Sequence, residues 1–157
     1  PQPIQRVGLS GGDTWDDWIT SNPTPVSGSG AHASSLSSGL HQHFFQVPAS
    51  RGWEIGSSDK LFANIYLDPA TMPEMVMLQW LDGSGWHRAR WGSNRFPFGP
   101  SVRVGALPAA GEWVRLEVPA EDVGLAGSKV TGRKVAHRIY ASWQRTQLLG
   151  LKSRAST

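Results

Sequence analysis

The segment WLDGSGWHRARW (residues 80–91) concentrates the side chains best suited to hold a ligand. It places three Trp, one His, two Arg and one Asp on a predicted hairpin whose turn is DGSG. Because alternate residues of a strand face the same side, Trp86, Arg88 and Arg90 share one face, and His87 and Trp91 share the other. The alternative is a cation–π stack that stabilises a solvated sheet face.

The chemistry of this hairpin favours a sugar as the ligand. An indole packs on the C–H face of a pyranose, while planar guanidinium groups donate to hydroxyls or to a carboxylate. The predicted ligand-binding residues are Trp86, Trp91, His87, Arg88 and Arg90, followed by Trp80, Asp82, His41 and His43. The last two lie at i and i+2 of a predicted strand, a spacing that also suits a metal, although structural histidines bonded at a sheet edge are the simpler interpretation.

Carboxylates suggest one further ion site. Asp13, Asp16 and Asp17 cluster in a Gly-rich segment, and calcium prefers carboxylate and carbonyl oxygens. Their spacing differs from that of a helix–loop–helix calcium loop. A structural calcium ion there is the one cofactor that the sequence suggests.

Signs of catalysis are sparse. The 12 carboxylates are scattered, with no pair that stands out as the acid and base of a glycosidase. The chain holds no Cys, no nucleophile elbow and no phosphate-binding Gly loop. These observations favour a non-catalytic module over an enzyme. A structural or protein-interaction spacer and a polysaccharide-active enzyme are the two alternatives.

Charge is distributed unevenly along the chain. Residues up to Ser128 hold 8 Lys+Arg against 12 Asp+Glu, whereas those from Lys129 onward hold 7 Lys+Arg and no acid. Nucleic-acid binding is not predicted, because it needs a basic face spread across the fold. Membrane insertion is not predicted either, since no apolar run approaches the roughly 20 residues of a membrane span.

Short strands must position these residues. Segments such as KLFANIYL and EWVRLEV alternate between apolar and polar residues, EMVMLQWL is continuously apolar, and Gly- and Pro-rich turns separate them. The pattern predicts an all-β fold, an antiparallel β-sandwich or jelly roll. Residues 1–157 are expected to form one domain, frayed at 1–11 and 151–157.

Five long strings follow one another from about Gly12 to Gly132: SNPTPVSGSGAHAS, GLHQHFF, DKLFANIYLDPATMP, VMLQWLDGSGWHRARWG and GALPAAGEWVRLEVPAEDVGL. Together they resemble a lectin-like β-sandwich domain that recurs in large secreted and surface proteins of bacteria, including Rhs-type repeat proteins. The resemblance implies a concanavalin-like or jelly-roll sandwich and no established catalytic activity. It also implies a secreted or cell-surface location within a larger multidomain protein, and it defines no ligand. The composition of the hairpin predicts a glycan or polysaccharide as partner, and the domain is expected to be a monomer.

The chain departs from that family in two places. The family's hairpin reads WEHRAYWG, whereas here the acid is missing and Arg90 replaces the aromatic residue, which makes the local surface more basic. After Gly132 the family continues towards a Trp-Asp pair, and this chain has Gln144 in place of that Asp.

Overall fold

A computed structural model describes residues 17–26, 28–33, 39–95, 98–139 and 144–147. For Asp17 and His43 it describes the backbone but not the side chain. The predicted calcium ligands Asp13 and Asp16, and the predicted frayed ends 1–11 and 151–157, lie outside the described residues. No helix among the described residues is long and apolar enough to cross a membrane.

The described residues form short strands with two single 3-10 turns. The strands are β1 (Asp17–Ile19), β2 (Ala31–Ala33), β3 (Gly39–Gln46), β4 (Trp53–Glu54), β5 (Lys60–Leu67), β6 (Met75–Asp82), β7 (Gly85–Gly92), β8 (Val102–Gly105), β9 (Trp113–Pro119), β10 (Lys129–Val130), β11 (Gly132–Ile139) and β12 (Gln144–Gln147). The 3-10 turns are Ala49–Arg51 and Ala120–Val123.

Two five-stranded sheets make the body of the fold. The β5 sheet has the order β1-β2-β12-β5-β9, and the β6 sheet has the order β3-β11-β6-β7-β8. Every pair of neighbours is antiparallel except β7 and β8, which run parallel. This arrangement confirms the predicted all-β fold and antiparallel β-sandwich.

The core lies between the two sheets. In β5 every second residue is buried, as the alternation of KLFANIYL predicts. One hydrophobic cluster joins these residues to alternate residues of β9, β6 and β7, among them Leu116, Leu78 and Trp80. Because each strand places its apolar face towards the other sheet, polar residues of β5, β9 and β7 are left on the outer faces.

Strand β6 is buried on both sides, as its continuous apolar run predicts. On the side away from the core, Met75 and Met77 pack with Leu40 and Phe98. The backbone N–H of Arg95 points at the sulfur of Met75, 3.3 Å away. The segment after β7 therefore folds back over the outer face of the β6 sheet.

A two-residue turn joins β6 to β7, with Asp82 opposite Gly85. Oδ1 of Asp82 accepts the backbone N–H groups of Ser84 (2.8 Å) and Gly85 (3.2 Å), which is how a short acidic side chain stabilises a tight turn. Gly85 has a positive φ of 131°, which a residue with a Cβ rarely adopts. The DGSG turn thus fixes the register of the whole hairpin.

Candidate functional site

The register of the hairpin divides its chemically useful side chains between two faces. Trp86, Arg88 and Arg90 lie on the outer face of the β6 sheet, opposite Leu81, Gln79 and Met77 of β6. His87 and Trp91 lie on the face that turns towards the β5 sheet, opposite Trp80 and Val76. The alternation expected from the sequence is therefore observed.

Two of the three tryptophans of this hairpin belong to the core. Trp80 is 0% exposed and Trp91 is 6% exposed, and both are members of the core cluster. Their positions on the inner face point them between the sheets, where a ligand has no access. The prediction that Trp80 and Trp91 bind the ligand is therefore wrong. Trp86, the third tryptophan of the hairpin, is half-buried.

Asp82 and His87 are brought together with Ser84 at the turn. Nε2 of His87 lies 3.0 Å from Oδ1 of Asp82 and 3.2 Å from Oγ of Ser84, and Ser84 Oγ donates to Asp82 at 2.7 Å. On its other side, Nδ1 of His87 lies 2.7 Å from the carbonyl oxygen of Val123, to which it donates because a carbonyl only accepts. His87 therefore fastens the turn Ala120–Val123 to the hairpin.

The same contacts set the protonation of Asp82. Burial by itself would raise the pKa of this carboxyl group, but hydrogen bonds from the side chain and backbone of Ser84, together with the nearby His87 ring, lower it to about 2. Asp82 is thus a carboxylate at neutral pH, and the hydrogen bonds that it accepts stabilise the turn.

An open cleft of about 300 Å³ lies beside the outer strands of the β6 sheet. Strand β8 pairs with β7 only at positions 89–91, so the preceding residues of β7 border the cleft instead of a neighbouring strand. From β7 the cleft is lined by Trp86, His87 and Arg88, from the next segment by Pro100, Ser101 and Val102, and from the 3-10 turn by Asp122 and Val123.

Arg88 is held in place by neutral groups. Its Nε donates to Oε1 of Gln79 at 3.0 Å, and its Nη1 donates to the carbonyl oxygen of Trp86 at 3.4 Å. Partial burial lowers the pKa of Arg88. The planar group is therefore oriented and partly desolvated at the cleft that Trp86 also lines.

Arg90 is connected to the cleft by a hydrogen bond to Ser101. Its Nε donates to Oγ of Ser101 at 3.1 Å, and its Nη1 donates to the carbonyl oxygen of Gly92 at 3.4 Å. Ser101 itself lines the cleft. Of the predicted site residues, the structure thus brings Trp86, His87 and Arg88 to one cleft, and it links Arg90 to that cleft through Ser101.

The predicted histidine pair lies elsewhere. His41 is 2% exposed, and its position opposite His137 is on the face of β3 that turns towards the other sheet. Among the side chains that the structure describes, no three His, Asp or Glu residues come close enough to hold a metal ion. The calcium prediction stays a prediction, because Asp13 and Asp16 are outside the described residues and only the backbone of Asp17 is described.

Sequence reasoning missed the residues that complete the cleft: Pro100, Ser101, Val102, Asp122 and Val123. Their segments could be recognised as a short strand and a turn, and the turn indeed ends at Gly124, with a φ of 73°. Their proximity to Trp86 depends on long-range pairing, which leaves no local signal in the sequence.

A second group of aromatic side chains, on the outer face of the β5 sheet, is already engaged within the protein. The guanidinium carbon of Arg115 lies 3.5 Å from the ring centre of Phe62, and Trp113 meets the ring of Tyr66 edge-on at 5.7 Å between centroids. Nε1 of Trp113 donates to the carbonyl oxygen of Thr24 at 2.8 Å. These contacts lie on the sheet opposite the cleft at Trp86.

Comparison with known proteins adds a similarity of fold. No family model matches the chain, and no curated protein matches it. Among solved structures, it is similar to the glycoside hydrolase domain, Endo-D, of Streptococcus pneumoniae R6, with a TM-score of 0.54 and 12% sequence identity. The similarity covers 88% of this chain but 20% of that one, so this chain spans a small part of the length of its structural neighbour. At this identity the likeness shows the fold alone, and the family resemblance drawn from the sequence stays a prediction.

Proposed function

We propose that this domain is a non-catalytic carbohydrate-binding module of a secreted or cell-surface protein, and that it holds its sugar in the cleft at Trp86. The observation that carries the proposal is the shared position of Trp86 and Arg88 on one wall of this cleft. An aromatic surface for the C–H face of a sugar thus lies beside an oriented donor for its oxygens.

The rest of the cleft suits a sugar as well. Its volume of about 300 Å³ is at the lower end of the range for small-molecule sites, which fits one or two sugar rings. Val102 and Val123 supply apolar surface, and the hydroxyl of Ser101 and the carboxylate of Asp122 supply hydrogen-bonding partners. A few polar groups placed among apolar ones are what fix the orientation of a bound ligand.

The acidic groups near the cleft support a binding role over hydrolysis. A glycosidase needs a general acid whose pKa is raised, together with a second carboxylate. Asp122 is the one carboxylate among the residues that line the cleft, and the nearby Asp82 has its pKa lowered to about 2 by the contacts that hold the turn. The similarity of fold to one fifth of the chain of a glycoside hydrolase domain supports a sugar-directed module within a larger protein.

Binding to an array of neutral and acidic glycans, measured for the wild type and for Trp86→Ala, tests the proposal. We expect the wild type to bind a subset of glycans and Trp86→Ala to lose at least about tenfold in affinity, the usual effect of removing a central aromatic contact. Trp113→Ala is the matched control, since Trp113 is also half-buried but lies on the opposite sheet.

Each outcome distinguishes the proposal from its alternatives. If no glycan binds to the folded wild type, the domain is a spacer and the proposal is wrong. If Trp113→Ala abolishes binding while Trp86→Ala does not, the site is wrong. Release of reducing sugar from a bound glycan would show that the domain is an enzyme.

A further inference from the structure

The outer face of the β6 sheet carries three guanidinium groups along one edge. Arg90 of β7 lies directly opposite Arg103 of β8 in the register, and Arg88 lies two residues earlier on the same face of β7. Like charges placed opposite each other on neighbouring strands destabilise a sheet. Their placement together indicates that something other than protein stability determines these residues.

None of these three arginines makes an ion pair with a carboxylate within the described part of the chain. The partners of Arg88 and Arg90 are the neutral groups given above, an amide, a hydroxyl and two carbonyl oxygens. Arg103 is exposed. The edge formed by Arg88, Arg90 and Arg103 is therefore a patch of three positive charges without an ion pair among the described residues.

Several other exposed cations in the described part of the chain are compensated, whereas Arg51 is not. Glu117 accepts from Arg115 at 2.9 Å and from Lys60 at 3.2 Å. Lys129 lies 3.3 Å from Glu54. The cleft edge differs from these paired positions because three arginines lie together there without an ion-paired carboxylate.

Arg88 in addition bears a cost of desolvation. Its pKa is lowered by burial, which means that the surroundings disfavour its charged form. With Nε and Nη1 engaged, Nη2 has no hydrogen-bond partner among the described residues. An anion in the cleft would offset this cost through a charge-assisted hydrogen bond.

We propose that the cleft binds an acidic glycan, a sugar chain that bears carboxylate groups, with one carboxylate on Arg88 and further negative charge along Arg90 and Arg103. This inference rests on the proposed function and specifies its ligand class. The indole of Trp86 contacts the apolar face of the sugar that carries the carboxylate. Ser101 and Asp122 receive its hydroxyl groups.

Asp122 favours a glycan over a nucleic acid. Its carboxylate lines the same cleft as Arg88. It accepts hydrogen bonds from the hydroxyls that an acidic glycan presents between its carboxylates, whereas a nucleic-acid backbone presents a phosphate at every residue. The residues up to Ser128, which include the whole cleft, hold 8 Lys+Arg against 12 Asp+Glu, so this part of the chain has no excess of positive charge to attract closely spaced phosphates.

The test compares each acidic sugar with its own neutral form. The full chain is titrated with an oligogalacturonate, a hyaluronan oligosaccharide and sialyllactose, each also prepared as the methyl ester, and with a single-stranded DNA oligonucleotide. We expect at least one free acid to bind at least about tenfold more tightly than its ester, the usual value of a charge-assisted hydrogen bond. Added salt weakens binding of the acid and not of the ester.

Variants show which arginine is responsible for the preference for the acid over its ester. Arg88→Gln is expected to remove the preference for the acid, and Arg103→Gln to reduce it about threefold, the effect of a less direct charge. Because Arg103 is exposed and makes no contact described above, its variant is expected to fold even if Arg88→Gln does not. Arg115→Gln removes a paired arginine on the opposite sheet and leaves the preference unchanged.

The outcomes separate this inference from the proposed function. Equal binding of acids and esters, or binding of neutral glycans only, overturns the acidic ligand and leaves carbohydrate binding standing. Binding of the DNA more tightly than any sugar overturns it in favour of a nucleic acid. If no glycan of either kind binds, the proposed function itself fails.

Discussion

Gln79 of β6 lies directly opposite Arg88 of β7, and Nε of Arg88 donates to Oε1 of Gln79 at 3.0 Å. This hydrogen bond connects a buried residue on the outer face of the β6 sheet to a residue that lines the cleft. Gln79 is 1% exposed, and its Nε2 has no hydrogen-bond partner among the residues that the structure describes. A buried amide with an unused donor costs stability. Gln79 therefore serves to orient Arg88 more than to stabilise the sheet.

Gln79→Leu is accordingly expected to weaken ligand binding and to preserve the fold. The change loses one hydrogen bond but also removes an unpaired buried donor, so the free energy of unfolding should change by less than about 1 kcal/mol. Affinity for the glycan should fall about three- to tenfold, because Arg88 loses its fixed orientation. Urea denaturation and titration calorimetry measure the two quantities.

Gln46→Leu is the control for this change, since Gln46 is an exposed glutamine of the same sheet. If Gln79→Leu destabilises the protein by several kcal/mol or leaves affinity unchanged, Gln79 is a structural residue and does not position Arg88.

Asp82 predicts a loss of stability in acid. Its pKa is lowered from 3.8 to about 2 in the folded state, so its contribution is complete above pH 3.8 and disappears as the pH falls towards 2. The contribution is on the order of 1–2 kcal/mol. Asp82→Asn should reduce the free energy of unfolding at neutral pH by about this amount and should flatten its decline in acid.

Urea denaturation from neutral pH down to about pH 2 provides the measurement. Asp68→Asn serves for comparison, because Asp68 also accepts a backbone N–H in a turn, that of Ala70 at 2.8 Å, but is not joined to a histidine. Identical acid profiles for Asp82→Asn and the wild type would show that the turn does not depend on this carboxylate.

Trp80 and Trp86 are expected to behave in opposite ways when shortened. Trp80→Ala opens a cavity in the core and should cost about 3–5 kcal/mol of stability, whereas the affinity of the folded fraction stays close to that of the wild type. Trp86→Ala should cost about 1 kcal/mol, because the indole is half-buried, and should lose most of the affinity. Thermal unfolding with and without a bound glycan separates the two effects. A large loss of affinity in stable, folded Trp80 variants would show that the core tryptophan contributes to the site.

Local periodicity predicted much of the fold. The alternation in KLFANIYL and EWVRLEV fixed which residues face the core, and the DGSG turn predicted the hairpin and the split between Trp86 and His87. The continuous apolar run of β6 indicated burial on both sides but not which neighbours cover it. Trp80 was therefore a candidate ligand residue until the register placed it in the core.

The cleft could not be predicted in the same way. It depends on the parallel pairing of β8 with β7 and on the hydrogen bond that ties Val123 to His87. Both join segments that are distant along the chain, and neither follows from a local pattern. The sequence thus indicated one wall of the site, with Trp86, His87 and Arg88, and the structure supplied the opposite wall, with Ser101 and Asp122.

The most direct test of a sugar site at Trp86 is a nuclear magnetic resonance titration that follows the indole N–H signals of the eight tryptophans and the Nε–H signals of the arginines. Substitutions to Phe and Gln assign the signals of Trp86, Trp113, Arg88 and Arg115. With a glycan selected from the array, the signals of Trp86 and Arg88 are predicted to shift in a saturable manner, while those of Trp113 and Arg115 stay in place. Shifts confined to Trp113 and Arg115, or none at any glycan concentration, would contradict the assignment of the cleft as the binding site.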